Sequence, residues 1–175
     1  MPLDFEIDKL THSLEDAATG DILSTEVLPL ERADFKDISK KSGWKFNWKT
    51  EYATQEKQVF KLILQKEPKI IQGLVCFEKR AGHVFMHLIE VAPHNFGKTK
   101  KYFGTAGNLV AFGCKLSFEH GFDGYVSFKA KTKLIEHYEK TLGATVLYGQ
   151  SMELKTYASI ELIKKYYPDF LTNKT

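Results

Sequence analysis

Alternating apolar and polar side chains in the middle of the chain predict three consecutive β-strands, at residues 57–65, 69–79 and 83–92. The connections KEP and RAG are short, so we expect these strands to form an antiparallel meander. An earlier apolar run at residues 21–30, ended by a proline, predicts a first strand. A short helix is expected to follow it at residues 31–41.

The apolar spacing changes to that of helices after the meander. Leu109, Phe112 and Leu116 recur at helical spacing, and Gly121 is positioned to end that helix. The remaining predicted elements are a strand at 124–129, a helix at 131–144, a strand at 145–154 and a helix at 158–167. The order β-α-β-β-β, then α-β-α-β-α, predicts one α/β (α+β) domain over residues 1–175.

Composition and charge add few functional constraints. The 175 residues are 43% hydrophobic and 27% charged, and the net charge of +3 is too small to indicate general nucleic-acid binding. The cysteines and histidines lack metal-ligand spacing, and no apolar run approaches the roughly 20 residues of a membrane span. We therefore expect a cytoplasmic protein with reduced cysteines, no metal and no membrane partner.

Two glycines stand directly before the first of these helices. Because glycine is a poor helix former, Gly104 and Gly107 indicate that the backbone itself matters there. Their N–H groups suit an anion cradle at the positive end of the helix dipole, and an ordinary tight turn is the alternative. The stretch GTAG also matches the Gly-x-x-Gly clamp of KH RNA-binding modules. Two lysine clusters suit either a phosphate ligand or a solvated surface: Lys98, Lys100 and Lys101, and Lys129, Lys131 and Lys133.

Several stretches, taken in order, resemble motifs of the GNAT superfamily of N-acetyltransferases. KYFGTA, residues 101–106, resembles the pyrophosphate loop Arg/Gln-x-x-Gly-x-Gly/Ala, with lysine in the first place. LIEHYEKTLGA resembles the family's second signature, which ends in a Tyr-Glu-Lys-x-Gly-Phe-like sequence, and LIEVAP resembles its fourth strand with a Val-x-Pro exit. The resemblance covers residues 21–155 and implies a mixed, mostly antiparallel central sheet with helices on both faces.

The chain departs from the family pattern in three places. The loop at residues 94–100 is several residues longer than usual, and Lys131 stands where the family often has an asparagine that contacts the cofactor. The chain also ends in a helix where the family usually has a last β-hairpin. These departures concern the outer contacts of the cofactor and the acceptor side.

The resemblance implies that acetyl-CoA is the acyl donor. Its pyrophosphate would lie on the N–H groups from Phe103 to Gly107, with charge added by Lys101. Its acyl arm would lie beside the strand at residues 83–92, where an N–H near Val91 would polarise the thioester carbonyl. The implied cofactor-binding residues are Val91, Lys101, Tyr102, Phe103, Gly104, Thr105, Ala106, Gly107, Asn108 and Lys131.

Tyr138 is the candidate general acid. The resemblance implies that its hydroxyl protonates the departing CoA thiolate. Tyr138 also lies on the same helical stripe as Leu134 and Leu142, so the alternative is a core tyrosine with an outward hydroxyl.

Glu90 is the candidate general base, which accepts the proton of an amine directly or through water. Strict alternation puts Glu90 on one face with Val84, Met86 and Leu88, where it is the only carboxylate of the run. It lies either at the mouth of a cleft or buried with a raised pKa. The alternative is a charge at the end of a strand that reaches solvent.

Together these features predict an N-acetyltransferase that moves an acetyl group from acetyl-CoA to a primary amine by direct attack in a ternary complex. Trp44, Phe46 and Trp48 either help to form the acceptor pocket or close the core beneath a loop. The acceptor is left open between a small molecule, a protein amine and an aminoacyl-tRNA, and a homodimer is one option for the assembly. The alternative functions are a CoA-binding relative without catalysis and a KH-like RNA-binding module.

Overall fold

The computed structural model describes residues 1–172, and its largest feature is a seven-stranded sheet. The strands are β1 (Leu14–Asp16), β2 (Ile22–Leu23), β3 (Thr25–Pro29), β4 (Lys57–Leu64), β5 (Glu67–Arg80), β6 (His83–Val91), β7 (Tyr102–Phe103), β8 (Val126–Lys129), β9 (Thr145–Tyr148) and β10 (Ser151–Leu154). The helices are α1 (Trp48–Ala53), α2 (Thr105–Glu119), α3 (Ile135–Leu142), α4 (Thr156–Tyr166) and α5 (Pro168–Thr172). Short 3-10 helices cover Arg32–Asp37, Pro93–Asn95 and Thr132–Leu134.

The large sheet has the strand order β3-β4-β5-β6-β8-β10-β9. The predicted meander is confirmed as β4, β5 and β6, which pair antiparallel. The predicted first strand is divided between two sheets, because β3 joins the large sheet while β2 belongs to a small sheet of order β2-β1-β7. The helix expected at residues 31–41 is a shorter 3-10 helix, and α1 was not predicted.

Residues 145–154, predicted as one strand, form a hairpin instead. Ser151 of β10 lies opposite Tyr148 of β9, and Gly149 reverses the chain with a φ of 52°. A positive φ of this kind is what a two-residue hairpin turn requires. The chain therefore has both a last hairpin and α4 after it, so the expected lack of the hairpin is wrong.

β6 and β8 are parallel neighbours that separate after a short contact. Val84 pairs with Val126 and Phe85 with Ser127, and within the described residues the pairing of these two strands ends there. Because hydrogen-bonded strands lie about 4.8 Å apart, strands that stop pairing leave a gap between them. The gap opens toward the carboxyl ends of β6 and β8, where an extended chain or ligand has edge N–H and C=O groups to bind.

A β-bulge at His87 reverses which face of the sheet each later side chain of β6 points to. Met86 pairs with Phe77 and Leu88 with Cys76, so His87 has no partner of its own on β5. An extra residue in one strand reverses the alternation of the side chains that follow it.

The sheet separates two hydrophobic clusters. The main core contains residues of α2, α3 and α4. The second core contains Trp44 and Trp48, and Trp48 is the first residue of α1. In α2 every residue from Thr105 to Cys114 is buried, because the helix packs against the sheet and also against α4. The N-terminus of α2, at the predicted anion cradle, is therefore covered by protein.

Candidate active site

The gap between β6 and β8 is the first part of the candidate site. The N–H of Ala92, directly after β6, donates to the carbonyl of Gln72 in β5 at 2.9 Å. Because successive N–H groups of a strand point to opposite sides, the N–H of Val91 is directed away from β5 and toward the gap. This orientation agrees with the predicted role of Val91.

The N-terminus of α2 is the second part of the site. Gly104 is the N-cap residue, with a φ of 101° that favours glycine. Its N–H donates to a carboxylate oxygen of Asp8 at 3.2 Å, beside the positive end of the helix dipole. A negatively charged group is thus already held at this terminus, as expected of an anion cradle.

Tyr102, directly before the predicted cradle, already bonds within the chain. Tyr102 and Phe103 form β7 and pair with β1, and the N–H of Tyr102 donates to the Asn95 side-chain oxygen at 3.1 Å. The backbone N–H of Tyr102, one of the implied cofactor-binding residues, is therefore engaged within the chain, and its role toward the cofactor stays a prediction. The long loop at residues 94–100 fixes this geometry, because Asn95 is buried and also donates to Gln72.

Residues 3–13, here named the N-terminal segment, enter the gap beside β8. The N–H of Leu3 donates to the carbonyl of Lys129 at 2.7 Å, and the Leu3 carbonyl accepts from the N–H of Lys131 at 3.1 Å. The residue between those two, Ala130, donates its own N–H toward the β10 side. By strand alternation, Leu3 lies on the opposite edge of β8, which faces β6.

The N-terminal segment then passes α3 on its way to α2. The carbonyl of Phe5 accepts from the hydroxyl of Tyr138, and the N–H of Ile7 donates to the Nε2 atom of His137 at 2.8 Å. Asp8 follows at once and accepts from Gly104. One stretch of chain therefore contacts the gap, the candidate acid and the anion cradle in succession.

Close packing against the chain's own ends explains the glycine pair. A Cβ atom on Gly104 would lie 2.9 Å from the carbonyl oxygen of Ser13. A Cβ atom on Gly107 would lie 2.7 Å from the hydroxyl of Tyr166 and 2.9 Å from a methyl group of Leu10. In this conformation a methyl group at Gly104 would meet the backbone, and one at Gly107 would fit only if the ends of the Tyr166 and Leu10 side chains shifted.

Tyr138 lies on α3 with its ring between those of Phe5 and Phe128, each with a centroid 5.5 Å away. Its side chain is fully buried, and burial raises the pKa of the hydroxyl well above its ordinary value of 10.0. The hydroxyl therefore keeps its proton at neutral pH, as an acid must. Tyr138 is a core residue in this conformation, and its proton points at the N-terminal segment.

Glu90 faces the second core and not the face predicted for it. Val84 and Met86 lie in the main core, while the bulge at His87 turns Leu88 and Glu90 to the opposite side of the sheet. The prediction that Glu90 shares a face with Val84 and Met86 is therefore wrong, whereas the shared face with Leu88 is confirmed. Only 8% of Glu90 is exposed, which also excludes the solvent-reaching alternative.

The Glu90 carboxylate accepts three hydrogen bonds from one stretch of chain. The N–H of Lys45 donates to it at 2.6 Å, that of Phe46 at 3.3 Å and the indole N–H of Trp48 at 2.8 Å. A carboxylate with donors on both oxygens is well suited to hold a loop. Its role as a base remains a prediction.

Three aromatic residues, two in the loop before α1 and one at its start, serve mainly as core. Trp44 and Trp48 are buried in the second core, and Phe46 packs against it. Trp44 also lines an open groove of about 770 Å³ that reaches Ala92 and Pro93 after β6. The core interpretation is therefore confirmed, and Trp44 additionally lies beside a space in which an acceptor would fit.

The predicted outer contacts of the cofactor are dispersed. The ammonium of Lys131 binds the carboxylate of Asp4 in the N-terminal segment at 2.6 Å. The side-chain amide of Asn108 donates to Thr25 at 3.1 Å, which directs it away from the helix axis and toward β3. Lys101 lies over the ring of its neighbour Tyr102, 5.5 Å from the centroid. Among these three residues, Lys131 is the one that contacts the N-terminal segment.

Sequence reasoning missed the part of the chain that binds these groups. Residues 3–8 read Leu-Asp-Phe-Glu-Ile-Asp, which alternates apolar and acidic side chains with the period of a strand. Asp4 and Asp8 contact lysines in both of the clusters that the sequence analysis singled out. The signal was therefore present as an acidic, strand-like pattern opposite two basic clusters.

Thiol and metal chemistry find no support in the described part of the chain. Cys76 and Cys114 are free and buried, and burial raises the pKa of each thiol to about 12. Within residues 1–172 no group of three or more His, Cys, Asp or Glu side chains is arranged to hold a metal ion.

None of the described helices has the length and apolar character needed to cross a membrane.

Solved structures with a similar fold include N-acetyltransferases and a toxin. The KacTA–DNA complex aligns with a TM-score of 0.58 and 13% identity, over 81% of this chain and 99% of that one. AtaTR bound with acetyl-CoA gives a TM-score of 0.56 and 12% identity over 79% and 98%. The spermidine N-acetyltransferase of Vibrio cholerae, with CoA and spermine, gives 0.52 and 14% over 78% and 98%. No protein-family model and no curated protein matches the sequence.

The fold is that of the GNAT acetyltransferases, as the motifs indicated. The sheet is mostly antiparallel, and among the described strands β6 and β8 form its single parallel pair. Along the chain, α2 lies between these two strands.

The KH-like alternative is wrong. A KH clamp needs an exposed Gly-x-x-Gly loop that touches nucleic acid. Here Gly104 follows strand β7, and Thr105, Ala106 and Gly107 are buried in the first turn of α2.

Proposed function

We propose that the protein is an N-acetyltransferase that transfers an acetyl group from acetyl-CoA to a primary amine by direct attack in a ternary complex. The observation that carries this proposal is the path from the β6–β8 gap to the N-terminus of α2. The gap offers strand-edge groups to an extended acyl arm, and the helix terminus, with lysines nearby, already binds an anion. The likeness to structures solved with CoA or acetyl-CoA supports the same assignment.

The residues on this path fit acetyl-CoA in their chemistry. Acetyl-CoA supplies an acyl group activated as a thioester. Lys131 and the N–H of Gly104 would bind its phosphates in place of the carboxylates that they bind now. The N–H of Val91 would donate to the acyl oxygen and stabilise the negative charge that develops there.

Tyr138 would donate its proton to the departing sulfur. Its raised pKa keeps the hydroxyl protonated until that moment. Because an ordinary thiol has a pKa of about 8.5, a thiolate accepts the proton readily from a nearby donor. Glu90 remains a candidate for the amine proton, although its three hydrogen bonds favour a role in positioning the loop from Lys45 to Trp48.

For the acceptor we propose a primary amine that enters by the groove beside Ala92 and Pro93. Its volume of about 770 Å³ accommodates a small molecule or an extended side chain. The charged residues of its lining carry both signs, so charge alone does not select a class of amine: Asp34, Lys36, Asp37, Lys61 and Lys69. The two buried thiols support a proposed cytoplasmic location.

A CoA-binding protein without catalysis is the second candidate. Two observations favour it: the hydroxyl of Tyr138 is engaged by Phe5, and both oxygens of Glu90 are occupied. Neither candidate group is free to move a proton in this conformation. The two candidates differ in turnover and not in cofactor binding.

Thermal unfolding with acetyl-CoA tests the binding step that both candidates share. At a hundred times its Kd, acetyl-CoA should stabilise the protein by about 2.7 kcal/mol. An unchanged melting temperature at millimolar acetyl-CoA, with no heat of binding by calorimetry, would contradict both candidates.

Replacing Tyr138 by Phe separates the two candidates. An enzyme that uses this acid should lose turnover by about 100-fold while its Kd for acetyl-CoA is unchanged. Tyr157→Phe is the matched control, because Tyr157 lies on α4 and is 78% exposed, so the same change there removes no buried hydroxyl. If the wild-type protein binds acetyl-CoA but acetylates no amine in a panel of polyamines, peptides and aminoacyl-tRNA, the second candidate is correct.

A further inference from the structure

The N-terminal segment follows the whole path assigned to acetyl-CoA. Leu3 bonds to the edge of β8 that faces the gap, Phe5 accepts from Tyr138, and Asp8 accepts from Gly104. These three contacts fall where the acyl arm, the leaving sulfur and the phosphates are expected under the proposed function. The match extends over residues 3–8, the first part of the N-terminal segment.

The acidic side chains of the segment are paired selectively with basic groups of the path. Asp4 binds Lys131 at 2.6 Å and Lys133 at 3.7 Å. Asp8 binds Lys100 at 2.9 Å in addition to the N–H of Gly104. Two carboxylates therefore neutralise the lysines and the helix terminus that would otherwise attract the phosphates of a ligand.

Glu6, the third acid of the segment, behaves differently. It is exposed and forms no ion pair with any residue that the structure describes. The contrast within six residues indicates that the positions of Asp4 and Asp8, and not merely the acidity of the segment, match the path.

The segment and a phosphate ligand cannot occupy the N-terminus of α2 together. A single added methyl group at Gly104 or Gly107 would approach within 2.9 Å or less of Ser13, Leu10 or Tyr166. A diphosphate is larger than a methyl group and needs the same backbone N–H groups. The phosphate end of acetyl-CoA can enter only if residues 8–13 move away and the Tyr166 hydroxyl, which accepts from the N–H of Thr11, turns aside with them.

We propose that the N-terminal segment is an autoinhibitory strap that mimics acetyl-CoA and must leave its groove before the cofactor binds. This inference rests on the proposed function. The strap has no helix, and its single bridge to Ala130 is its one contact of strand type, so it lacks the regular pairing that fixes the sheet strands. The buried side chains of Leu3 and Ile7 hold it in place, which makes the closed state the resting one.

Acetyl-CoA can bind only the molecules in which the strap is displaced. The apparent Kd is therefore the intrinsic Kd divided by the fraction of displaced molecules. Removing the charges of Asp4 and Asp8 should raise that fraction without removing apolar core. The test variant is Asp4→Asn with Asp8→Asn in the full chain. The matched control is Glu6→Gln with Asp21→Asn, which changes the net charge equally at exposed acids that form no ion pair among the described residues.

Two measurements are made on the wild-type protein and on both variants. Calorimetry gives the Kd for acetyl-CoA, which should fall by about tenfold in the test variant and stay within about twofold in the control. Amide hydrogen exchange follows the N–H groups of Leu3 and Ile7, which should lose protection when acetyl-CoA binds to the wild-type protein. The N–H of Ala130, bonded on the other edge of β8, should stay protected and serves as the internal reference.

The outcomes separate the strap from the proposed function. If acetyl-CoA binds while Leu3 and Ile7 stay protected, or if the test variant and the control bind equally, the strap is overturned and the transferase proposal survives. If no protein binds acetyl-CoA even though Leu3 and Ile7 exchange freely in the test variant, the cofactor assignment itself fails and the strap fails with it. A tighter Kd together with loss of protection supports the strap.

Discussion

Two carboxylates on opposite sides of β6 bind backbone N–H groups in different ways. Glu90 is buried and accepts from three donors between Lys45 and Trp48, so it joins that loop to the sheet. Asp8 lies at the surface and accepts two backbone N–H groups, from its neighbour Lys9 and from Gly104, together with the ammonium of Lys100. The difference teaches that Glu90 is part of the fold, whereas Asp8 occupies a place that an external anion could take.

Changing each carboxylate to its amide gives the largest expected effect. Glu90→Gln puts an NH₂ group against buried N–H donors, which should lower the free energy of unfolding by about 3 kcal/mol. Asp8→Asn should lower it by less than about 1 kcal/mol, because its ion pair lies near solvent. Chemical denaturation of the two variants measures both values. Equal losses would show that Asp8 is as much a part of the fold as Glu90.

The glycine at the cradle gives the next largest effect. Gly104→Ala should lower the free energy of unfolding by about 2 to 3 kcal/mol, since its φ of 101° strains alanine and the Cβ meets Ser13. Gly97→Ala is the matched control: Gly97 has a φ of 84° but nothing within 4 Å of its Cβ, so only strain of about 1 kcal/mol is expected.

The difference between the two glycine variants measures contact with the strap. In the background of Asp4→Asn and Asp8→Asn, where the strap is weakened, that difference should shrink. A difference that is the same in both backgrounds would mean that the strap remains packed on α2 regardless of its charges.

Periodicity in the sequence was sufficient for the long strands and helices of the fold but not for its short elements, turns and bulges. The meander and α2 follow from the spacing of apolar residues within their own stretches of sequence. The turn at Gly149 was overlooked inside an apolar run, although a glycine there is a turn signal. The bulge at His87 carries no comparable marker, because one inserted residue leaves the composition of a strand unchanged.

The site was predictable in its local parts and not in its long-range ones. Gly104 was singled out because a helix terminus with glycine suits an anion, and its N–H bonds to the carboxylate of Asp8 in this chain. The identity of that anion depends on a contact between residues 96 positions apart, which spacing within a motif cannot reveal. The face of Glu90 was wrong for a related reason, since it depends on how β6 pairs with β5.

The smallest expected effect concerns His87, the residue at which β6 changes sides. Burial lowers the pKa of His87 below its ordinary value of 6.5, and outweighs the Glu78 carboxylate 2.6 Å away, which by itself would raise the pKa. Because the folded pKa is the lower one, the unfolded chain binds the proton more readily. The stability that this histidine contributes is therefore complete above pH 6.5 and is lost as the pH falls from there toward the folded pKa.

An NMR titration of the His87 ring checks this direction, and Glu78→Gln sharpens it. Without the carboxylate the pKa of His87 should fall further, because the remaining influence of burial is unopposed. The bulge at His87 sets the face on which Glu90 lies, so the contrast between Glu90 and Asp8 requires that packing of the strand, and not this ion pair, maintains the bulge. A pKa at or above 6.5 in the wild-type protein would show that the Glu78 carboxylate outweighs burial, and a rise in Glu78→Gln would show that the carboxylate does not raise the pKa.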